Sequence, residues 1–176
     1  MKEIEAKILE VDRAAVEAKL GVLGGQLMFE KEFYAVYYDT PDGELREAGK
    51  TIRLRKEGEQ VVLTVKLKAK NQAGVKVAEE YETGVEDFGK MDQVLTSLGY
   101  VVVRKMRKMR AQYALGNAHV VIDDYKGELD FIPVFIEIEA GSKEAVVKVA
   151  EDLGYGEGDL NGMNAFELVL HYGGSF

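Results

Sequence analysis

The chain has no cysteine, so neither a disulfide nor a thiolate metal site is open to it. It has only two histidines, which argues against a zinc site as well. No segment approaches the roughly 20 apolar residues of a membrane span, and the N-terminus lacks the apolar run of a secretory signal. A cytoplasmic protein without membrane association is the expectation. An excess of positive charge is also missing: the formal net charge is -8, which argues against general binding to nucleic acid or to anionic membranes. At 176 residues, one domain over residues 1–176 has enough chain for a core without covalent staples.

What is present is local charge of mixed sign. Basic residues gather in "RLRK" (Arg53 to Lys56), "KLKAK" (Lys66 to Lys70) and "RKMRKMR" (Arg104 to Arg110). An acidic chain with such stretches can hold a small polyanion in a concave site while its outer surface keeps it soluble.

Strand patterns dominate. In "MKEIEAKIL", Ile4, Ala6 and Ile8 fall on one face of a strand and Glu3, Glu5 and Lys7 on the other. Asp12 then caps a helix with Val16, Leu20 and Leu23 as its buried stripe and Gly24-Gly25 as its stop. A strand from Gln26 to about Asp39 ends at the turn residues Pro41, Asp42 and Gly43. "KTIRLRKEG" and "QVVLTVKLK" read as a hairpin around Gly58, and "VKVAEEYETGV" as the next strand. Asp87 caps a second helix with Met91, Val94, Leu95 and Leu98 inward and Gly99 at its end. "YVVVRKMRKMRAQYAL" turns at Gly116-Asn117 into "AHVVIDDY", and "PVFIEIEA" is the last strand. A Ser142-capped helix to Leu153 and a short helix around Asn164 to His171 complete the order. Consecutive strands with a few inserted helices favour an antiparallel α+β fold, and such strands can close into a barrel.

Period-2 parity puts Arg53 with Arg55; Thr64 with Lys66 and Lys68; and Lys76 with Glu80 and Glu82. It likewise aligns Arg104, Lys108 and Arg110, then His119 with Asp123, and Glu137 with Glu139. An open sheet with a solvated charged face and a closed sheet with its charges inward share this parity. The residue types favour closure, because paired carboxylates and paired Arg or Lys recur at i, i+2 in place of neutral polar residues. Arg and Lys on several strands can surround a chain of phosphates, with Arg as a bidentate fork. Glu3, Glu5, Glu137 and Glu139 belong in the same cavity only if they hold a hard divalent cation, Mg2+ or Mn2+.

At this point the chain resembles the CYTH family, the triphosphate tunnel metalloenzymes. The signature E-x-E-x-K stands as Glu3, Glu5 and Lys7, followed in order by "YYDTPDGEL", "IRLR", "TVKLK", "EEYE", "KMRAQY", "VVIDDY" and "FIEIE". The resemblance implies a closed antiparallel eight-stranded β-barrel with helices packed on the outside, acting on ATP, tripolyphosphate or thiamine triphosphate. It gives Glu3, Glu5, Glu137 and Glu139 to the metal, with Asp123 beside them. Lys7, Arg53, Arg55, Lys66, Lys68, Lys108 and Arg110 would hold phosphates, and Glu80 and Glu82 would orient these cations. Members often carry a basic residue where this chain has Ala78, and Lys76 on the same face takes its place. Glu5, Lys7, Lys66 and Arg110 would carry the catalytic roles.

Among the family's branches, "NAFELVLHYG" and "YALGNAHVVIDDY" resemble the class IV adenylyl cyclases, which make cyclic AMP and pyrophosphate from ATP. An inorganic or thiamine triphosphatase is the alternative, and a non-catalytic nucleotide or polyphosphate binder ranks third because the four carboxylates are present. A homodimer stays open. His119 reads as a wall residue, His171 as surface or helix packing, Met106 and Met109 as filler, and Tyr37, Tyr38 and Tyr113 as core or rim.

Overall fold

In a computed structural model, residues 2–67, 70–72 and 74–175 are described, with the side chains of residues 2, 3 and 70–72 outside that set. The chain begins with β1 (Lys2–Ile8), α1 (Arg13–Val22), β2 (Gln26–Asp39) and the single turn α2 (Glu44–Glu47). A hairpin of β3 (Thr51–Glu57) and β4 (Gln60–Lys66) precedes β5 (Lys70–Gln72), β6 (Val75–Val85) and α3 (Phe88–Ser97). The long β7 (Val101–Leu115) pairs with β8 (Ala118–Lys126), and β9 (Phe135–Glu139), α4 (Lys143–Leu153) and α5 (Ala165–His171) follow.

These strands form one antiparallel sheet in the order β1-β9-β8-β7-β2-β3-β4-β6-β5. A further pairing of β1 with β6 closes eight of them into a barrel, and β5 adds to β6 beyond the end of β4. Closure removes the two free edges that an open sheet would expose. The barrel has a charged interior and an apolar exterior, so the sheet is closed with its polar faces inward.

Two apolar clusters lie outside the barrel. Ile8, Val120, Ile122, Ile136 and Ile138 pack under α1 and α4, where Val16, Leu20, Val146 and Ala150 are buried. Val36, Tyr38, Ile52 and Leu54 pack under α3, which contributes Phe88, Met91 and Leu95. A third cluster lies at one end of the interior, where Ala35, Tyr37, Met106, Tyr125 and Phe135 meet Leu168 and Val169 of α5. Met106 is thus core packing, as the sequence suggested.

The helix starts follow the capping residues. Asp12, Asp87 and Ser142 accept from the backbone N–H groups of Ala15, Lys90 and Ala145 at 3.1, 2.8 and 3.1 Å. Asn164 accepts from Phe166 and Glu167, and the Glu167 carboxylate accepts from the Asn164 N–H, completing a capping box.

Two expectations are corrected. The turn after β2 contains α2, because the buried Asp39 carboxylate accepts from the backbone N–H groups of Thr40, Leu45 and Arg46 and winds the segment around itself. In α3, Val94 and Leu98 are 49% and 71% exposed. That helix meets the barrel through Phe88, Met91 and Leu95, and this stripe turns the other two to solvent. Among the described residues no helix is long and apolar enough to cross a membrane.

Candidate functional site

Strand parity and closure together bring the charges into one cavity. It encloses about 1040 Å3, its open mouth included. Seven cations from five strands line it: Lys7 on β1, Arg53 and Arg55 on β3, Lys66 on β4, Lys76 on β6, and Lys108 and Arg110 on β7. Five carboxylates face the same space: Glu5 on β1, Glu80 and Glu82 on β6, and Glu137 and Glu139 on β9. Lys68 lies outside the described residues. Glu3 sits on β1 two residues before Glu5, with its side chain outside the described set.

Two sectors divide the charges. Glu5, Glu137 and Glu139 each offer a carboxylate oxygen within 4.8 Å of the others, which makes them a candidate cation site among the described residues. An all-oxygen set fits magnesium or manganese and not a thiophilic metal. Around this cluster run ion pairs. Lys76 Nζ donates to Glu5 Oε1 at 2.8 Å, and Lys7 Nζ meets Glu137 Oε1 at 2.8 Å. Arg110 Nη2 donates to Glu137 Oε2 at 2.6 Å.

Asp123, expected beside the metal carboxylates, shares Arg110 Nη2 with Glu137 but stands outside the three-carboxylate cluster. It is fully buried, and its oxygens accept from Lys108 Nζ at 2.5 Å and from Arg110 Nε and Nη2 at 2.8 and 2.6 Å. Its neighbours across the sheet are Arg110 on β7 and Phe135 on β9, one inner-facing step from Glu137. That position puts it behind the cations, where it fixes their direction.

On the opposite wall, Arg53 Nη2 donates to Thr64 Oγ1 at 3.3 Å, and that hydroxyl donates to Glu82 Oε2 at 3.0 Å. Arg55 meets Glu57 in a close ion pair and Glu82 at 3.7 Å. Lys66 pairs closely with Glu80. Acidic wall residues therefore orient the cations and partly neutralise them.

These neighbours set the ionisation of the site. Burial pushes the Glu5 carboxyl up, but Lys7, helped by Lys76, outweighs it and brings the value down to about 2. Glu137 is buried too, yet Lys7 and Arg110 hold it well below the carboxylate range. Burial and the adjacent Glu137 raise Glu139, whose carboxylate has no hydrogen bond or ion pair among the described residues. Burial and then the charge of Arg110 bring Lys108 down to about 8, against the pull of Asp123.

Several lining residues were not assigned roles from the sequence. Tyr37 and Tyr125 line the apolar end, and Phe166 meets Tyr37 edge-on at 5.1 Å between ring centroids. Thr64 is fully buried between Arg53 and Glu82; parity had placed it on the charged face without a role. Gln112 lines the cavity and lies 3.3 Å from the Nδ1 of the exposed His119. The residue by which β2 lines the cavity is the aromatic Tyr37, so no charge pattern marked that strand as part of the wall. Arg104, aligned in sequence with Lys108, instead reaches the Ser175 carbonyl.

Comparison with known proteins agrees with this architecture. The CYTH domain matches residues 1–162. Putative adenylate cyclase MJ0240 of Methanocaldococcus jannaschii is 30% identical over 139 residues, covering 79% of this chain and 77% of that protein. The PH1012 protein of Pyrococcus horikoshii OT3 superposes with a TM-score of 0.80 at 24% identity, covering 94% of this chain and 98% of that one. Putative adenylyl cyclase HpAC1 from Hippeastrum, described as having a dominant triphosphatase activity, superposes with a TM-score of 0.76 at 19% identity, covering 99% and 97%. This chain belongs to the CYTH family, whose members act on triphosphates.

Proposed function

We propose that this CYTH-family chain is a divalent-metal-dependent enzyme of the class IV adenylyl cyclase-like group, converting ATP into cyclic AMP and pyrophosphate. One observation carries the triphosphate reading: seven cations and a three-carboxylate cluster share one cavity. Cations alone would suit any polyanion. Carboxylates within the same space would repel a triphosphate unless a hard cation joined them to it. The preference for cyclisation rests on the name of the Methanocaldococcus relative and on the cyclase-like segment Asn164 to Gly173.

In this reading Glu5, Glu137 and Glu139 would hold Mg2+ or Mn2+, with Glu3 as a further candidate. When bound, the ion neutralises phosphate charge and polarises a phosphoryl oxygen. Lys7, Lys66, Lys76, Arg53, Arg55, Lys108 and Arg110 bind the phosphate chain, and Lys68 is a further candidate by its sequence. Glu80 and Glu82 orient Lys66, Arg53 and Arg55. The ribose 3′ oxygen attacks the α-phosphorus and its proton passes to water, while the bond to the α,β-bridging oxygen breaks and pyrophosphate leaves with that electron pair. Catalysis by these residues is positioning and stabilisation of the charge that develops on the leaving group. Lys7, Lys66 and Arg110 would carry that stabilisation, and Glu5 would act through the ion it holds.

The test is a product analysis. Purified protein is incubated with ATP, tripolyphosphate and thiamine triphosphate, each with magnesium or manganese. Cyclic AMP with an equivalent of pyrophosphate is expected. Orthophosphate release from tripolyphosphate or thiamine triphosphate, without cyclic AMP, would move the chain to the hydrolases. No turnover and no metal-dependent triphosphate binding would overturn the enzyme reading.

A further inference from the structure

Next to the cavity, one buried ring of β2 touches three cations. Phe33, on β2, is 3% exposed. Its ring centroid lies 5.3 Å from the Arg55 guanidinium carbon, 5.4 Å from that of Arg110 and 5.4 Å from Lys31 Nζ. Across the sheet its neighbours are Glu57 on β3 and Lys108 on β7. A second ring, Phe29, stacks on it at 6.0 Å between centroids, and Lys31 Nζ stands 4.5 Å from that ring.

Most cations of this cavity are held by carboxylates. Arg110 is held by Asp123 and Glu137, Lys7 by Glu137 and Lys76 by Glu5. A bound polyanion competes with each of these acids for the same N–H donors. An aromatic ring behaves differently. Its negative face attracts a guanidinium, yet it offers no lone pair for which phosphate is a substitute. Contact with Phe33 can therefore persist while the carboxylates are exchanged for phosphate oxygens.

Arg55 depends on this most. Among the described residues its buried Nε has no hydrogen-bond partner, and its carboxylate contacts are Glu57 and the more distant Glu82 at 3.7 Å. Arg55 also feels the like charges of Arg53 and Arg110. A ring between two guanidinium groups offsets part of that repulsion without neutralising either for the ligand.

Resting on the triphosphate reading above, we infer that Phe33 is a positioning residue that holds Arg55 and Arg110 in their phosphate-binding directions through its ring face. The residue's role is electrostatic as well as steric. Leu would fill much of the same space and supply none of the attraction. Tyr would keep the ring face.

The test compares inorganic tripolyphosphate binding by calorimetry in the unaltered chain, in Phe33→Leu and in chains carrying mono-, di- and trifluorinated phenylalanine at position 33. Fluorination weakens the negative face of the ring with little change of shape. Affinity is expected to fall stepwise along the fluorinated series and by roughly tenfold in Phe33→Leu, with Phe33→Tyr close to the unaltered chain. Because the fluorinated chains keep the packing, they decide the matter even if Phe33→Leu does not fold. A flat fluorinated series, or a folded Phe33→Leu with unchanged affinity, overturns the positioning role while leaving the site reading standing. Failure of the unaltered chain to bind tripolyphosphate overturns the site reading, and this inference with it.

Discussion

Arg110 and Asp123 face each other across β7 and β8, and the guanidinium donates from Nε and Nη2 to both oxygens of the carboxylate at 2.8 and 2.6 Å. The same Asp123 oxygen that accepts from Nη2 also accepts from Lys108, so one buried acid fixes two of the cavity's cations. Such bidentate pairing sets direction as well as charge, which is what a site for a chain of phosphates requires.

Asp123→Asn should therefore act through those cations. Removing one partner of a buried ion pair leaves charge uncompensated, and the folded state should lose about 3 kcal/mol in denaturant titration. Tripolyphosphate affinity should fall as Lys108 and Arg110 lose their alignment. Manganese binding, followed by the resonance of the free ion, should fall much less than in Glu137→Gln. Equal losses of manganese in the two variants would return Asp123 to the metal-binding set.

Lys108 makes the site sensitive to alkali. Its value of about 8 lies below the ordinary 10.5, so between those limits the unfolded chain keeps a proton that the folded chain has released. Stability owed to Lys108 is thus present above 10.5 and lost as pH falls through about 8. Ligand binding runs the other way, because the charged amine is the form that holds phosphate. Tripolyphosphate affinity should drop as pH rises through about 8, and Lys108→Arg should remove that step. An affinity that is level across this range in the unaltered chain would contradict the assignment.

Glu5 should separate metal binding from folding. Glu5→Gln is expected to weaken manganese binding by more than about tenfold and to abolish metal-dependent turnover, while circular dichroism stays unchanged. The carboxylate also contributes to acid stability. With its value lowered from 4.5 to about 2, its contribution is present above 4.5 and is lost as pH falls toward 2. Full metal-dependent turnover in Glu5→Gln would remove Glu5 from the site.

Gly74 supports the first strand from behind. It has a φ of +78°, and an added Cβ would stand 2.2 Å from the Leu160 carbonyl oxygen. The next residue, Asn161, exchanges two backbone hydrogen bonds of 2.8 Å with Lys7. Gly74→Ala should cost more than about 1 kcal/mol and lower Tm by roughly 3 °C or more. A thermal scan with unchanged Tm would show that the loop gives way without strain.

Local patterns alone determined much of this protein. Asp12, Asp87, Ser142 and Asn164 mark helix starts because their side chains satisfy N–H groups within three residues in sequence, so no distant partner is needed. Alternation likewise determined which side chains share a strand face, including Glu5 with Lys7 and Arg53 with Arg55. Parity is a property of one strand, however, and does not say which strands become neighbours.

Tertiary structure decided the rest. Pairing of β1 with β6 closes the sheet and turns separate charged faces into one cavity. Closure sets Glu5 beside Lys76, 71 positions away, and the register of β7 on β8 sets Asp123 opposite Arg110. Pairing of β2 with both β3 and β7 brings Phe33 against cations from the two strands. The opening segment "KEIEAKI" fixed the alternation of Glu3, Glu5 and Lys7, but only the barrel decided what Glu5 and Lys7 face, because charge acts through space and the chain encodes only order.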